Sequence, residues 1–133
     1  MPTNTAHGHC LCGAVRFAAR LPSLWMAHCH CSRCQRAHGA ALVTWVGFEA
    51  RRVQIDDAQH TLHWFDNPTM GNSQRGFCSH CGSPMFFRSE RYPNELHIAR
   101  ALFTTALDRM PESHVYYDSR VDWVQIDTHL PIE

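Results

Sequence analysis

The spacing of its cysteines constrains this chain more than any other feature. Seven cysteines fall in three groups, Cys10-x-Cys12, Cys29-x-Cys31-x2-Cys34 and Cys78-x2-Cys81, and each lies within three residues of another. An odd number cannot all pair as disulfides. The sequence opens Met-Pro-Thr-Asn-Thr-Ala, without the charged and apolar regions of a secretory signal. A reducing, cytoplasmic location is therefore expected, where clustered cysteines bind metal more often than they form bridges. A tetrahedral zinc needs sulfurs about 2.3 Å from one centre. Cys-x-x-Cys supplies two from a tight turn. Cys-x-Cys supplies two from an extended strand, whose residues i and i+2 share a face.

Seven thiolates divide most simply as four plus three. Four close a structural zinc site, and three leave a position open, as catalytic zinc sites do. The contiguous Cys29, Cys31 and Cys34 form the natural three, and Cys10, Cys12, Cys78 and Cys81 the four. Spacing alone leaves other divisions open. Cys10, Cys12, Cys29 and Cys31 could group against Cys34, Cys78 and Cys81. His38, four residues after Cys34, could also complete a closed Cys3His site.

The rest of the chain reads as short strands. Candidates are Ala14–Phe17, Trp25–His28, Leu42–Phe48, Arg52–Ile55, Thr61–Phe65, Met85–Arg88, Leu96–Ala99, His114–Tyr117 and Trp123–Ile126. All are bounded by Gly, Pro, Asn or Asp punctuation. Ser32 to His38 reads as a single helical turn with Ser32 as N-cap and Gly39 as stop. Thr104–Leu107 is a second candidate turn. Gly13, Gly39 and Gly82 adjoin the cysteine motifs, where a residue free to take positive φ is useful. The 133 residues fit one domain, spanning 1–133, with 44% hydrophobic content and no apolar run longer than about five residues. A membrane span is thereby disfavoured. Twelve arginines balance twelve acidic residues, so nothing pulls the chain toward nucleic acid. A small, zinc-stapled all-β domain is the expectation.

The motifs themselves resemble a known family. His9-Cys10-Leu11-Cys12-Gly13-Ala14-Val15 is similar to the opening Cys-x-Cys-Gly-x-Val motif of the glutathione-dependent formaldehyde-activating enzymes, a family that also includes centromere protein V-like domains. Cys29-His30-Cys31-Ser32-Arg33-Cys34-Gln35-Arg36 is similar to the second motif, Cys-His-Cys-Ser-x-Cys-Arg-Arg. Phe77-Cys78-Ser79-His80-Cys81-Gly82-Ser83 is similar to the third. The ending, Ser113-His114-Val115 followed by Trp123 and Leu130-Pro131, resembles the family's closing pattern. The resemblance implies a β-tent with two zinc ions. It assigns Cys10, Cys12, Cys78 and Cys81 to a structural zinc and Cys29, Cys31 and Cys34 to a catalytic one. It also implies carbon–sulfur lyase chemistry, the reversible addition of a thiol, glutathione in the named enzyme, to an aldehyde. Two departures stand out. The chain is short for the enzyme that names the family, and Gln35 replaces the usual Arg or Lys.

The chemistry needs a thiolate nucleophile and a proton donor for the developing alkoxide. A thiol on the open zinc position ionises readily. His30 and His38 are the nearest histidines. On a strand His30 points away from the Cys29/Cys31 face, so His38 is the expected donor. Arg33 and Arg36 are candidates to hold a substrate carboxylate. His80 reads as a spacer, and His28, His97 and His114 as hydrogen-bonded structural residues. Trp45, Trp64 and Trp123 read as core or pocket wall. The alternatives to an enzyme are a zinc-stabilised binding module and a thiol redox sensor.

Overall fold

Strand alternation, with side chains at i and i+2 on one face, organises the structure. The computed structural model describes residues 4–126 and 129–133. Among these, β1 (Thr5–His9), β2 (Arg16–Arg20) and β5 (Val53–Asp56) form an antiparallel sheet in the order β1-β2-β5. The second sheet has seven strands. They are β3 (Trp25–Cys29), β4 (Val43–Glu49), β6 (Leu62–Asn67), β7 (Ser73–Cys78), β8 (Pro84–Arg88), β9 (Glu95–Ala99) and β10 (Ser113–Val115). Their order is β10-β3-β4-β9-β8-β7-β6, and only β10 pairs parallel to its neighbour. One α-helix, α1 (Ser32–His38), follows β3.

The expected all-β class is what the chain adopts. Most expected strands lie within a few residues of the observed ones, and α1 has the expected bounds. β1 and β7 are strands that composition concealed, because Gly8 and Gly76 interrupt them. Trp123–Ile126 is not a strand, and Trp123 is 70% exposed. Thr104–Leu107 forms no helical turn; the 3-10 turn falls at Arg100–Leu102 instead. The N-cap of α1 is Cys31 rather than Ser32, its sulfur accepting from the Cys34 amide at 3.2 Å. Gly39 is the left-handed C-cap, as expected.

Alternation gives the large sheet two unlike faces. One face presents Met26, Val46, Phe48, Phe86, Leu96 and Ile98 to the small sheet, whose Ala6, Phe17 and Ala19 complete the core. Phe17 meets Phe103 edge-on at 5.0 Å and Phe86 at 5.7 Å. Burying each such ring contributes about 1.5–3 kcal/mol. The other face carries Cys29 of β3, Trp45 of β4, Ala99 of β9 and the half-buried Phe87 of β8 as a separate cluster. This second face carries the site.

Candidate metal centres and their cavity

Cys10 and Cys12 follow β1 in a turn rather than on the extended strand expected from their spacing. The Gly13 amide donates to Cys10 O at 3.1 Å, and Gly13 takes φ 81°, a value that favours glycine. Cys78 ends β7 and Cys81 follows in the knuckle, closed by Gly82 N to Cys78 O at 2.7 Å. A register shift between Gly76 and Phe77 prepares this turn. The four sulfurs all lie within 4.8 Å of one another. Cys10 to Cys12 is 3.7 Å and Cys12 to Cys78 is 3.9 Å. A tetrahedron with metal–sulfur distances of about 2.3 Å has edges of about 3.8 Å, so this donor set fits zinc. Burial alone would push the Cys81 thiol up, but the Ser83 hydroxyl and nearby amides hold it down at about 5. His80 Nδ1 lies 3.2 Å from Cys12 Sγ, so this knuckle residue reaches a sulfur of the cluster.

Cys29 closes β3, Cys31 caps α1 and Cys34 sits in its first turn. These three buried sulfurs also lie within 4.8 Å of one another, with Cys29 to Cys34 at 3.6 Å. Among the described residues no His, Asp or Glu joins them at that distance. His38 instead packs edge-on against the Trp45 ring at 5.3 Å. Burial lowers it to about 4, against the pull of the Cys34 charge. Cys34 is the sulfur of the trio with the most donors around it. Hydrogen bonding from Cys29, then Cys31, pushes it well down, and Trp45 Nε1 adds a bond at 3.5 Å. Arg75 Nη2 lies 3.6 Å from the same sulfur.

The three sulfurs open on a cavity of about 980 Å³. Trp25, Trp45, Phe87 and Tyr92 supply aromatic wall, and Arg33, Arg75 and Arg91 supply positive charge. Arg36 is exposed on α1 and lies outside the lining, as does His38. Arg75 had no local signal. It lies 41 residues beyond Cys34, on a strand that Gly76 disguised. Its guanidinium packs over the Phe87 ring at 5.1 Å, and its Nη1 is buried without a hydrogen-bond partner. Tyr116, also in the lining, takes φ 54° and ψ 40°. That left-handed backbone costs a bulky residue on the order of 1–3 kcal/mol.

The remaining expectations are placed as follows. Gln35 Nε2 donates to His30 O at 2.9 Å and Ser119 O at 3.1 Å, so the residue that departs from the family pattern ties α1 to a distant loop. His28 Nδ1 pairs with Thr44 Oγ1 at 2.7 Å and His97 Nε2 with Glu95 at 2.9 Å. His114 Nδ1 pairs with His30 Nε2 at 2.8 Å. All three are hydrogen-bonded, and His97 also lines the cavity. Trp45 is buried on the cavity wall and Trp64 stacks on Phe86.

Two sulfur clusters on a two-sheet β fold, one with four donors and one with three open on a cavity, define a β protein whose cysteines could hold metal ions. Comparison with known proteins gives its family. The profile of the glutathione-dependent formaldehyde-activating enzymes matches residues 5–119, and the chain belongs to that family. A Halomonas elongata protein, provisionally named a glutathione-dependent formaldehyde-activating enzyme, is 31% identical over 127 residues, covering 91% of this chain and 80% of that one. The crystal structure of a Rhodobacter sphaeroides protein is similar in fold, with a TM-score of 0.62 at 23% identity, over 77% of this chain and 92% of that one. No helix among the described residues is long and apolar enough to cross a membrane.

Proposed function

We propose that residues 1–133 form one zinc-binding domain that acts as a carbon–sulfur lyase, adding a thiol of the glutathione type to an aldehyde such as formaldehyde and reversing the addition. The observation that carries this reading is the open trio, Cys29, Cys31 and Cys34, with no fourth donor group among the described residues and a large cavity in front of it. Cys10, Cys12, Cys78 and Cys81 would hold a structural zinc, and the trio a second, catalytic one. When bound there, zinc supplies an open position on which a substrate thiol is held as its thiolate.

The protein's own residues prepare the site for that anion. Three thiolates around a divalent ion leave a net negative charge, which discourages a fourth. Arg75 and the Trp45 indole draw charge from Cys34 and offset this. Arg33, Arg75 and Arg91 face the cavity as partners for substrate carboxylates, and Glu112, Asp118 and Glu133 provide the opposite sign for an ammonium group. A lining of both charges suits a zwitterionic tripeptide thiol. The aromatic wall lowers the local dielectric and strengthens these contacts. The reducing cytoplasm, where such thiols and free cysteines persist, suits this chemistry.

The test pairs zinc per chain with a rate. Protein purified without chelator is expected to carry two zinc ions. It should also accelerate exchange between formaldehyde and its glutathione adduct beyond the uncatalysed rate, as followed by magnetisation-transfer NMR. Two zinc ions with no acceleration would reject the lyase and leave a zinc-built binding module.

A further inference from the structure

Addition of a thiolate to a carbonyl needs a donor for the oxygen as it becomes an alkoxide. His38, the donor expected from sequence, faces Trp45 and is absent from the cavity wall. Three phenols do line the cavity, Tyr92, Tyr116 and Tyr117. The Tyr117 ring is committed elsewhere. It packs on His114 at 5.2 Å and His30 at 5.4 Å, and the Arg120 guanidinium covers it at 4.3 Å. Tyr92 and Tyr116 line the same wall, close enough for their side chains to interact.

The backbone at Tyr116 adds a second observation. Among the described residues the other non-glycine positions with positive φ are His60, Asn72 and Asn94. These types are enriched in the left-handed region, whereas a bulky aromatic there is an outlier. The neighbouring Tyr117 is fixed by its two histidines, so the reversal after β10 falls on Tyr116. Glycine or asparagine would serve that turn with less strain. A tyrosine there instead sets a half-exposed ring on the cavity wall, in reach of Tyr92.

We propose that the Tyr92–Tyr116 phenol pair binds the aldehyde oxygen opposite Cys29, Cys31 and Cys34 and delivers the proton that the addition requires. This rests on the lyase reading above. The thiolate sulfur gives its electron pair to the carbonyl carbon and the C–S bond forms. The C=O π pair moves to oxygen, which takes a phenol proton. The phenolate regains a proton from water, into which the incoming thiol has released its own. The sum is thiol plus aldehyde to hemithioacetal, with no net proton consumed. The reverse reaction uses the phenolate as base. Burial, then the neighbouring Tyr116 side chain, raises the Tyr92 pKa, so this phenol stays protonated at neutral pH.

The experiment compares zinc-loaded wild type with Tyr92→Phe, Tyr116→Phe and Tyr116→Asn, by exchange of formaldehyde with its glutathione adduct. The Phe variants are expected to lose about 100-fold or more in kcat while the KM for glutathione changes by less than about threefold. The absorption change when glutathione binds the cobalt-substituted protein should match wild type. Tyr116→Asn relieves the backbone without restoring the phenol, so it should be at least as stable as wild type and equally impaired. An active wild type with fully active Phe variants overturns the phenol pair and leaves the lyase standing. A wild type that does not exceed the background rate overturns both. Loss of the cobalt response in the Phe variants would make the tyrosines supports of the metal centre and overturn the proposal as well.

Discussion

Arg75 Nη2 and Cys34 Sγ lie 3.6 Å apart, although Cys34 is on α1 and Arg75 is on β7, three strands away from β4 in the large sheet. The contact gives a sulfur of the open trio a permanent positive neighbour. Arg75→Ala is expected to lower kcat/KM for the glutathione adduct by about 10- to 100-fold, the usual effect of losing a group that supports a metal ligand. Arg75→Lys should recover only part of this, since a point charge cannot both reach sulfur and stack on Phe87. Steady-state kinetics of the two variants, with zinc content measured on each, checks this.

The two sulfur clusters predict opposite phenotypes. Cys31→Ala should abolish activity yet leave the circular dichroism spectrum intact, at a stability cost of about 1 kcal/mol for the lost α1 cap. Cys81→Ala should leave the chain unfolded or largely so, because zinc binding can supply on the order of 10 kcal/mol of folding free energy. A fully active Cys31→Ala protein would remove the catalytic assignment of the trio.

Gly47 predicts a third phenotype. It pairs with Trp25 across β3 and β4, and a Cβ at Gly47 would come within 2.4 Å of Trp25 Nε1. Trp25 lines the cavity and donates to Glu95 at 3.2 Å. Gly47→Ala should therefore displace the indole into the cavity, destabilise by about 1–3 kcal/mol and raise the KM for the thiol. Denaturant titration and steady-state kinetics would register the two effects separately.

Acid should weaken the fold through its buried imidazoles. Burial lowers His30 to about 4 from its ordinary 6.5, with the charges of His114 and His28 adding to the effect. Burial also lowers His97, against its bond to Glu95. Between about 6.5 and 4 at His30, and below the ordinary value at His97, the unfolded chain binds a proton that the folded chain refuses. Stability is therefore full above the upper value and declines as pH falls, by up to about 1.4 kcal/mol per pH unit for each group. Urea midpoints from neutral pH to about 5 should fall accordingly, and His97→Gln should flatten the slope.

How much of this was readable without coordinates varied with the range of the interactions. The cysteine spacing marked the donors of each short motif because ligation within a motif is a local geometric demand, but it left the grouping of the distant motifs open, and the family resemblance supplied that. The spacing misjudged the first cluster's backbone, since Cys10 and Cys12 converge through a turn stabilised by Gly13. β4 was legible from its run of β-branched and aromatic residues. β7 was not, because Ser73-Gln74-Arg75-Gly76 has neither apolar alternation nor β propensity and owes its place to pairing with β6 and β8. With β7 hidden, Arg75 was hidden too. Tyr116 was equally silent, as only backbone dihedrals reveal its left-handed turn. His38 looked attractive by proximity in sequence, and the rotation of α1 sends it to Trp45 instead.

The closed cluster draws its donors from two places far apart in the chain, Cys10 and Cys12 after β1 and Cys78 and Cys81 around the β7–β8 knuckle. Each pair can capture an ion before the sheets have met. At one equivalent per cluster a captured ion recruits the other pair and draws the two ends of the fold together. With metal in large excess, both pairs fill separately, and one ion must leave before the native cluster can close. With zinc in this cluster as proposed, refolding should be fastest near stoichiometric zinc and slow down as zinc is added beyond it, so that the supply of metal would set the rate at which this chain matures.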